Sequence, residues 1–194
     1  MSRILQRAAL VAALALLVAP AMAQAQGVGV GLKGGLLYST FDFDGIDDVI
    51  DSKAGWQAGI FFGGNRPGTV GVMGELNFLS KNGEEGGEDI KLYYVQVPVL
   101  LRVNFGSRDL DGVAGYVVAG PNFDIKIGDD AGDFSIVDEY EGFDIGLTAG
   151  AGVELSRFIL EARGTWGFRN IAKDFMASDL KTRSFALLAG IRFN

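Results

Sequence analysis

The sequence predicts an all-β fold, an eight-stranded antiparallel up-and-down transmembrane β-barrel preceded by a cleaved signal peptide. Three observations predict it. Eight segments alternate apolar and small or polar residues with period two, which places successive side chains on opposite faces of a strand. The connections between them alternate long and short. A basic, apolar, small-residue leader precedes the first segment.

The leader comes first in the chain. Arg3 and Arg7 precede the apolar run Ala8 to Ala19, which ends at Pro20. Ala21-Met22-Ala23 and Ala23-Gln24-Ala25 follow as two small-x-small sites. This order is that of a secretory signal peptide, so residues 1–23 are expected to be removed, with cleavage after Ala23 or Ala25. Residues 24–194 then form the barrel domain. The run is too short for a membrane helix, which needs about 20 apolar residues.

The strands follow in order, each with its apolar face first. The first sets Val28, Val30, Leu32, Leu36 and Tyr38 against Gly29, Gly31, Lys33, Gly35, Leu37 and Ser39. The second sets Trp56, Ala58, Ile60 and Phe62 against Gly55, Gln57, Gly59 and Phe61. The third sets Val70, Val72, Leu76 and Phe78 against Gly71, Met73, Glu75, Asn77 and Leu79. The fourth alternates most plainly, Tyr93 to Phe105 at every second residue against Gln96, Pro98, Leu100, Arg102 and Asn104. The fifth sets Val113, Val117, Ala119, Phe123 and Ile125 against Ala114, Tyr116, Asn122, Asp124 and Lys126. The sixth covers Phe143 to Leu155, with Asp144, Thr148 and Glu154 on its polar face. The seventh covers Phe158 to Phe168, with Glu161, Arg163, Thr165 and Arg169 opposite. The eighth covers Phe185 to Phe193, with Ala186, Gly190 and Arg192 opposite.

The second face is too sparse in charge to coat a water-soluble barrel. It suits the crowded interior of a small barrel whose apolar face meets lipid. About ten residues at about 3.3 Å each, tilted by about 45°, rise about 23 Å, the height of the apolar band of such barrels. The connections expected to be long are Phe41–Lys53, Ser80–Lys91, Ile127–Glu141 and Asn170–Thr182. Those expected to be short are Gly63–Thr69, Gly106–Asp111 and Ser156–Arg157. Long external loops and short periplasmic turns characterise outer-membrane barrels, and an even strand number puts both termini on the periplasmic side. Outward aromatics sort into two rims, Phe62, Phe105, Phe158 and Phe193 at the turn end, and Tyr38, Trp56, Phe78, Tyr93, Phe123, Phe143, Trp166, Phe168 and Phe185 at the loop end. Two aromatic rims fit two membrane interfaces.

The mature chain resembles the outer-membrane β-barrel domain family, porin-family or PorT-like proteins of Gram-negative bacteria. The resemblance covers the whole mature chain and rests on Gly31-Leu32-Lys33-Gly34-Gly35, GWQAGIFF (55–62), GELNFLSK (74–81), LYYVQVPVLLR (92–102) and AGP (119–121). It implies the barrel fold, outer-membrane location and passage through the barrel-assembly machinery, and little about activity. The architecture is also similar to OmpA- and OmpX-type barrels, here expected without a periplasmic domain. One departure is Asn194 after Phe193, where substrates of the assembly machinery usually end on an aromatic.

Composition narrows the function. The chain has no His and no Cys, which removes Ser-His and Cys-His nucleophiles, His-zinc sites, disulfides and Fe–S clusters. A net charge of −7 argues against nucleic acid. Gly29-Val30-Gly31-Leu32-Lys33-Gly34 fits G-x-G-x-x-G, but it lies within a strand, whereas a dinucleotide site needs it between a strand and a helix. The predicted lumen holds Lys33, Lys81, Arg102, Lys126, Arg163, Arg169 and Arg192 facing Glu75, Asp124, Asp144, Glu154 and Glu161. Eight strands leave an interior just wide enough for side chains, so these charges are expected to pair as a plug. Of the 24 acids, 17 fall in the four long connections. There they form a solvated acidic surface, or bind divalent cations that bridge to lipopolysaccharide phosphates. Asp42 to Asp48 lacks the spacing of a calcium loop. The expectation is a monomeric, non-enzymatic barrel with a structural or surface-interaction role, no cofactor, and membrane lipid and lipopolysaccharide as neighbours. The alternative is a small-solute channel.

Overall fold

A computed structural model describes residues 29–43, 51–85, 88–109, 111–130, 143–168 and 180–193. Eight strands follow one another: β1 (Gly29–Phe43), β2 (Asp51–Gly63), β3 (Val70–Glu85), β4 (Glu88–Gly106), β5 (Val113–Asp130), β6 (Phe143–Leu155), β7 (Phe158–Gly167) and β8 (Leu180–Arg192). Each pairs antiparallel with the next, and β1 pairs with β8 from Gly31↔Arg192 to Phe43↔Leu180, closing the barrel. The leader, Arg169 and most of the acidic loop residues lie outside the described residues.

The period-two pattern has a direct structural cause. Lys33, Leu37, Gln57, Phe61, Glu75, Asn77, Arg102, Tyr116, Glu161 and Arg163 are buried inside. Alternate residues such as Leu32, Leu36, Val72, Leu101, Val117, Val153 and Leu187 are exposed. The exposed face is apolar, so the surrounding medium is hydrocarbon, and closing the sheet removes the edge that lipid could not satisfy. Gly29–Gly34 is plain β1 strand, paired with β2 throughout and with β8 from Gly31 onward.

Two expectations need correction. The strands outrun their apolar segments at the loop end: β3 runs to Glu85 and β4 starts at Glu88, so the connection expected over Ser80–Lys91 is a protruding hairpin with only 86–87 between its strands. β2, β5 and β8 likewise extend into segments expected to be loops. Backbone ladders continue above the membrane, where no lipid face imposes alternation and the sequence signal vanishes. β7 stops at Gly167, short of the expected Phe168.

Part of the loop-end rim is a continuous run of rings on β2, β3 and β4. Trp56 and Phe78 have ring centroids 5.4 Å apart, and Phe78 stacks on Tyr93 at 5.9 Å. Phe105, Phe158 and Phe193 are exposed at the turn end.

Candidate functional site: the barrel lumen

Alternation sends every second side chain into a cylinder with little free volume, so charge must be matched by charge. Lys33, Glu75, Lys81, Arg102, Asp124, Lys126, Asp144, Glu154, Glu161, Arg163 and Arg192 all lie inside, none more than 8% exposed. They fall into three clusters along the barrel axis.

The central cluster joins β1, β3 and β7. Arg163 on β7 donates to both oxygens of Glu75 on β3, from Nη1 at 2.6 Å and Nη2 at 2.9 Å. This is the planar fork of a bidentate pair. In the closed order β3 and β7 are opposite one another, so this pair crosses the full diameter. Arg163 Nε also donates to Glu161 at 2.7 Å. Lys33 Nζ donates to Glu75 at 2.9 Å and to Glu161 at 2.7 Å. Tyr116 donates its hydroxyl proton to Glu161 at 2.5 Å, and Asn77 donates to Glu75 at 3.0 Å. Two cations and two carboxylates thus balance. Tyr116 fits because Gly152 faces it across the β5–β6 pair. A Cβ at Gly152 would stand 2.4 Å from the tyrosine ring.

The loop-end cluster centres on Asp124. It accepts from Lys81 Nζ at 3.1 Å, Gln96 at 2.9 Å and Asn122 at 2.9 Å. Lys81 also lies 4.6 Å from the Tyr94 ring centroid. Asp144 sits across from Asp124 in register, and Lys126 is buried at the same end.

The turn-end cluster centres on Glu154, which accepts from Arg102 and, at 2.5 Å, from Arg192 Nε. Arg102 lies 3.8 Å over the Tyr116 ring, a cation–π contact that shelters the charge. Glu161–Arg163 and Glu154–Arg192 therefore belong to separate clusters rather than to one network. Between them lies an apolar layer of Phe61, Met73, Leu100, Tyr116, Val118 and Ile159. Val118 and Ile159 escape a reading by charge, yet each is two residues from an inward Tyr116 or Glu161, and that parity places them.

Arg66 is the residue the sequence conceals. It sits in the β2–β3 turn and is fully buried. Its guanidinium donates to Ser156 O at 2.8 Å, Asp109 O at 2.9 Å and Gly112 O at 2.5 Å, tying together all three short turns. Asn104 anchors the same turn from below, donating to Asn65 O at 3.0 Å and Gly68 O at 2.9 Å. The turn folds inward through positive φ at Gly63, Gly64 and Asn65. Among the described residues no group of three or more carboxylates could hold a metal ion.

A closed eight-stranded cylinder with an apolar outer band, aromatic rims and a charge-paired interior defines an integral β-barrel of the outer-membrane type. Residues 9–193 match the family described as outer membrane protein beta-barrel domain, and the chain belongs to that family. It is an outer-membrane protein. Solved structures share the fold at low identity. Neisserial surface protein A (NspA) is 14% identical, with a TM-score of 0.53, over 87% of this chain and 100% of that one. The outer membrane enzyme PagL is 15% identical, with a TM-score of 0.52, over 84% and 98%. Ail, the attachment invasion locus protein of Yersinia pestis, is 18% identical, with a TM-score of 0.45, over 87% and 100%. No curated protein matches the chain.

Proposed function

We propose that this protein is a closed outer-membrane scaffold with a structural or surface-interaction role, and not a solute pore. The observation that carries this reading is the Arg163–Glu75 fork across the full diameter, with Lys33 and Glu161 filling the same level. A continuous water column would have to separate these pairs, and each stranded charge would cost several kcal/mol. The turn end is read as periplasmic, with both termini there. The loop end then presents its acidic segments outward, beside lipopolysaccharide, from a monomer.

The protein is read as non-enzymatic. PagL is an outer membrane enzyme, but likeness at that identity concerns the fold. The lumen carboxylates here are engaged by cations, and the chain has no His to serve as a base. The test is conductance across a planar bilayer, using protein freed of contaminating porins. Brief, small currents or none are expected. Stable porin-sized steps that track the purified barrel would overturn the proposal.

A further inference from the structure

The turn end of the lumen holds more positive charge than it pairs. Arg66, Arg102 and Arg192 are buried there, at 0%, 0% and 2% exposure, around Glu154, the one buried carboxylate at that end among the described residues. The carboxylates of Asp109 and Asp111 in the neighbouring turn are exposed. The central cluster, by contrast, balances two cations with two carboxylates. Each turn-end arginine also keeps one buried nitrogen with no hydrogen-bond partner among the described residues: Arg66 Nε, Arg102 Nη1 and Arg192 Nη2. Buried guanidinium donors are ordinarily satisfied, so three unpaired ones at one end of the barrel call for an explanation.

Geometry brings two of them to one place. A Cβ built on Gly64 would lie 3.3 Å from Arg102 Nη1 and 3.7 Å from Arg192 Nη2. Both nitrogens therefore face the same side of the inward-folded turn. Gly64 has φ +92°, a conformation that side chains rarely adopt, so this wall stays free of a side chain. Arg66, two residues on, brings a third positive charge to this end, opposed by the like charges of Arg102 and Arg192 and offset by Glu154. Excess positive charge and converging unpaired donors are what an oxyanion with several acceptor oxygens requires.

We propose that the turn end of the lumen is a binding site for one small oxyanion of the phosphate or sulfate class, held by Arg66, Arg102 and Arg192 beneath the β2–β3 turn. The ion supplies the acceptors these nitrogens lack and offsets the surplus charge. The donors are inside the barrel, so the source is a free ion and not a lipid headgroup.

The test is equilibrium dialysis of radiolabelled sulfate and phosphate against the barrel folded in dodecylmaltoside, with ionic strength held by sodium gluconate. Heat-modifiable gel migration verifies folding of every variant. One saturable site per chain is expected. Arg66→Gln removes charge and should weaken binding at least tenfold, the scale of one charge-assisted hydrogen bond. Arg192→Lys keeps the charge but loses the Nη2 donor, and should also weaken binding; it decides the matter if Arg66→Gln does not fold. Glu154→Gln raises the surplus charge and should tighten binding while destabilising the ion-free barrel. Absence of saturable uptake by the wild type, or equal affinity in the wild type and the folded variants, overturns the site. So does protection from unfolding by phosphatidylglycerol bicelles without any by inorganic phosphate, which would assign the arginines to lipid.

Discussion

Arg163 shows what one side chain does in a cylinder this narrow. Its guanidinium reaches from β7 to Glu75 on the opposite wall and also binds its neighbour Glu161. Arg163→Ala would leave two carboxylates close together with Lys33 as their main remaining cation. Breaking one partner of a buried pair costs about 3–5 kcal/mol. We expect Arg163→Ala to lower the urea midpoint of the folded barrel clearly, and Lys91→Ala, at an exposed strand position, to leave it nearly unchanged. Equal midpoints would show that the central cluster adds nothing to stability. The inward position of Arg163 is legible in the sequence because parity fixes which face a residue takes. Its partners are not, because parity carries no depth. Depth depends on the register between strands, and register places Glu154 with Arg102 and Arg192 while it places Glu161 with Arg163 and Lys33. Arg66 was illegible for another reason: an arginine in Gly-Gly-Asn-Arg-Pro-Gly reads as a solvated turn until the turn is seen to fold inward.

Among the elements, the β2–β3 turn does the most unexpected work. Its backbone carbonyls at Gly64, Asn65 and Gly68 all accept from the side-chain amide of Asn104 on β4. The amide oxygen of Asn104 in turn accepts from Arg102 Nε at 2.6 Å. Asn104→Ala removes these bonds together and leaves partly buried carbonyls unsatisfied, at a cost of about 1–3 kcal/mol. Hydrogen exchange should then quicken at Gly68, whose amide donates to Asn65 O, while amides in the middle of β6 keep wild-type protection. Uniform acceleration through the barrel would mean that Asn104 supports the whole sheet and not this turn. The strands themselves were legible wherever one face meets lipid, as β6 shows by matching its expected ends at Phe143 and Leu155. At the loop end they were not, since Glu84, Glu85, Glu88 and Asp89 carry no alternation and still belong to the β3–β4 ladder. There hydrogen bonding between backbones extends the strands, and side-chain chemistry leaves no trace of it.

For the whole molecule, the two ends differ in kind, and the proposed orientation rests on that difference. The turn end is compact, with Arg66 drawing three turns together and the arginine cluster beneath them. The loop end carries the hairpin of β3 and β4 beyond the aromatic rim, with Asp51, Glu84, Glu85, Glu88, Asp89, Asp129 and Asp130 on the strands there. A barrel inserted from the periplasm passes its loop ends through the membrane and retains its short turns behind. The exposed Arg108 and Arg157 of the turn end should therefore face the periplasm, and Lys91 and Lys181 at the loop ends of β4 and β8 the outside. Trypsin added to intact cells should cut at loop-end lysines or not at all, whereas cleavage after Arg108 or Arg157 should require permeabilised cells. Sequencing the recovered barrel should give an N-terminus at Gln24 or Gln26, with the basic leader gone. Cleavage at Arg108 in intact cells would reverse the orientation, exposing the arginine-rich end to the environment and turning the acidic loop end inward.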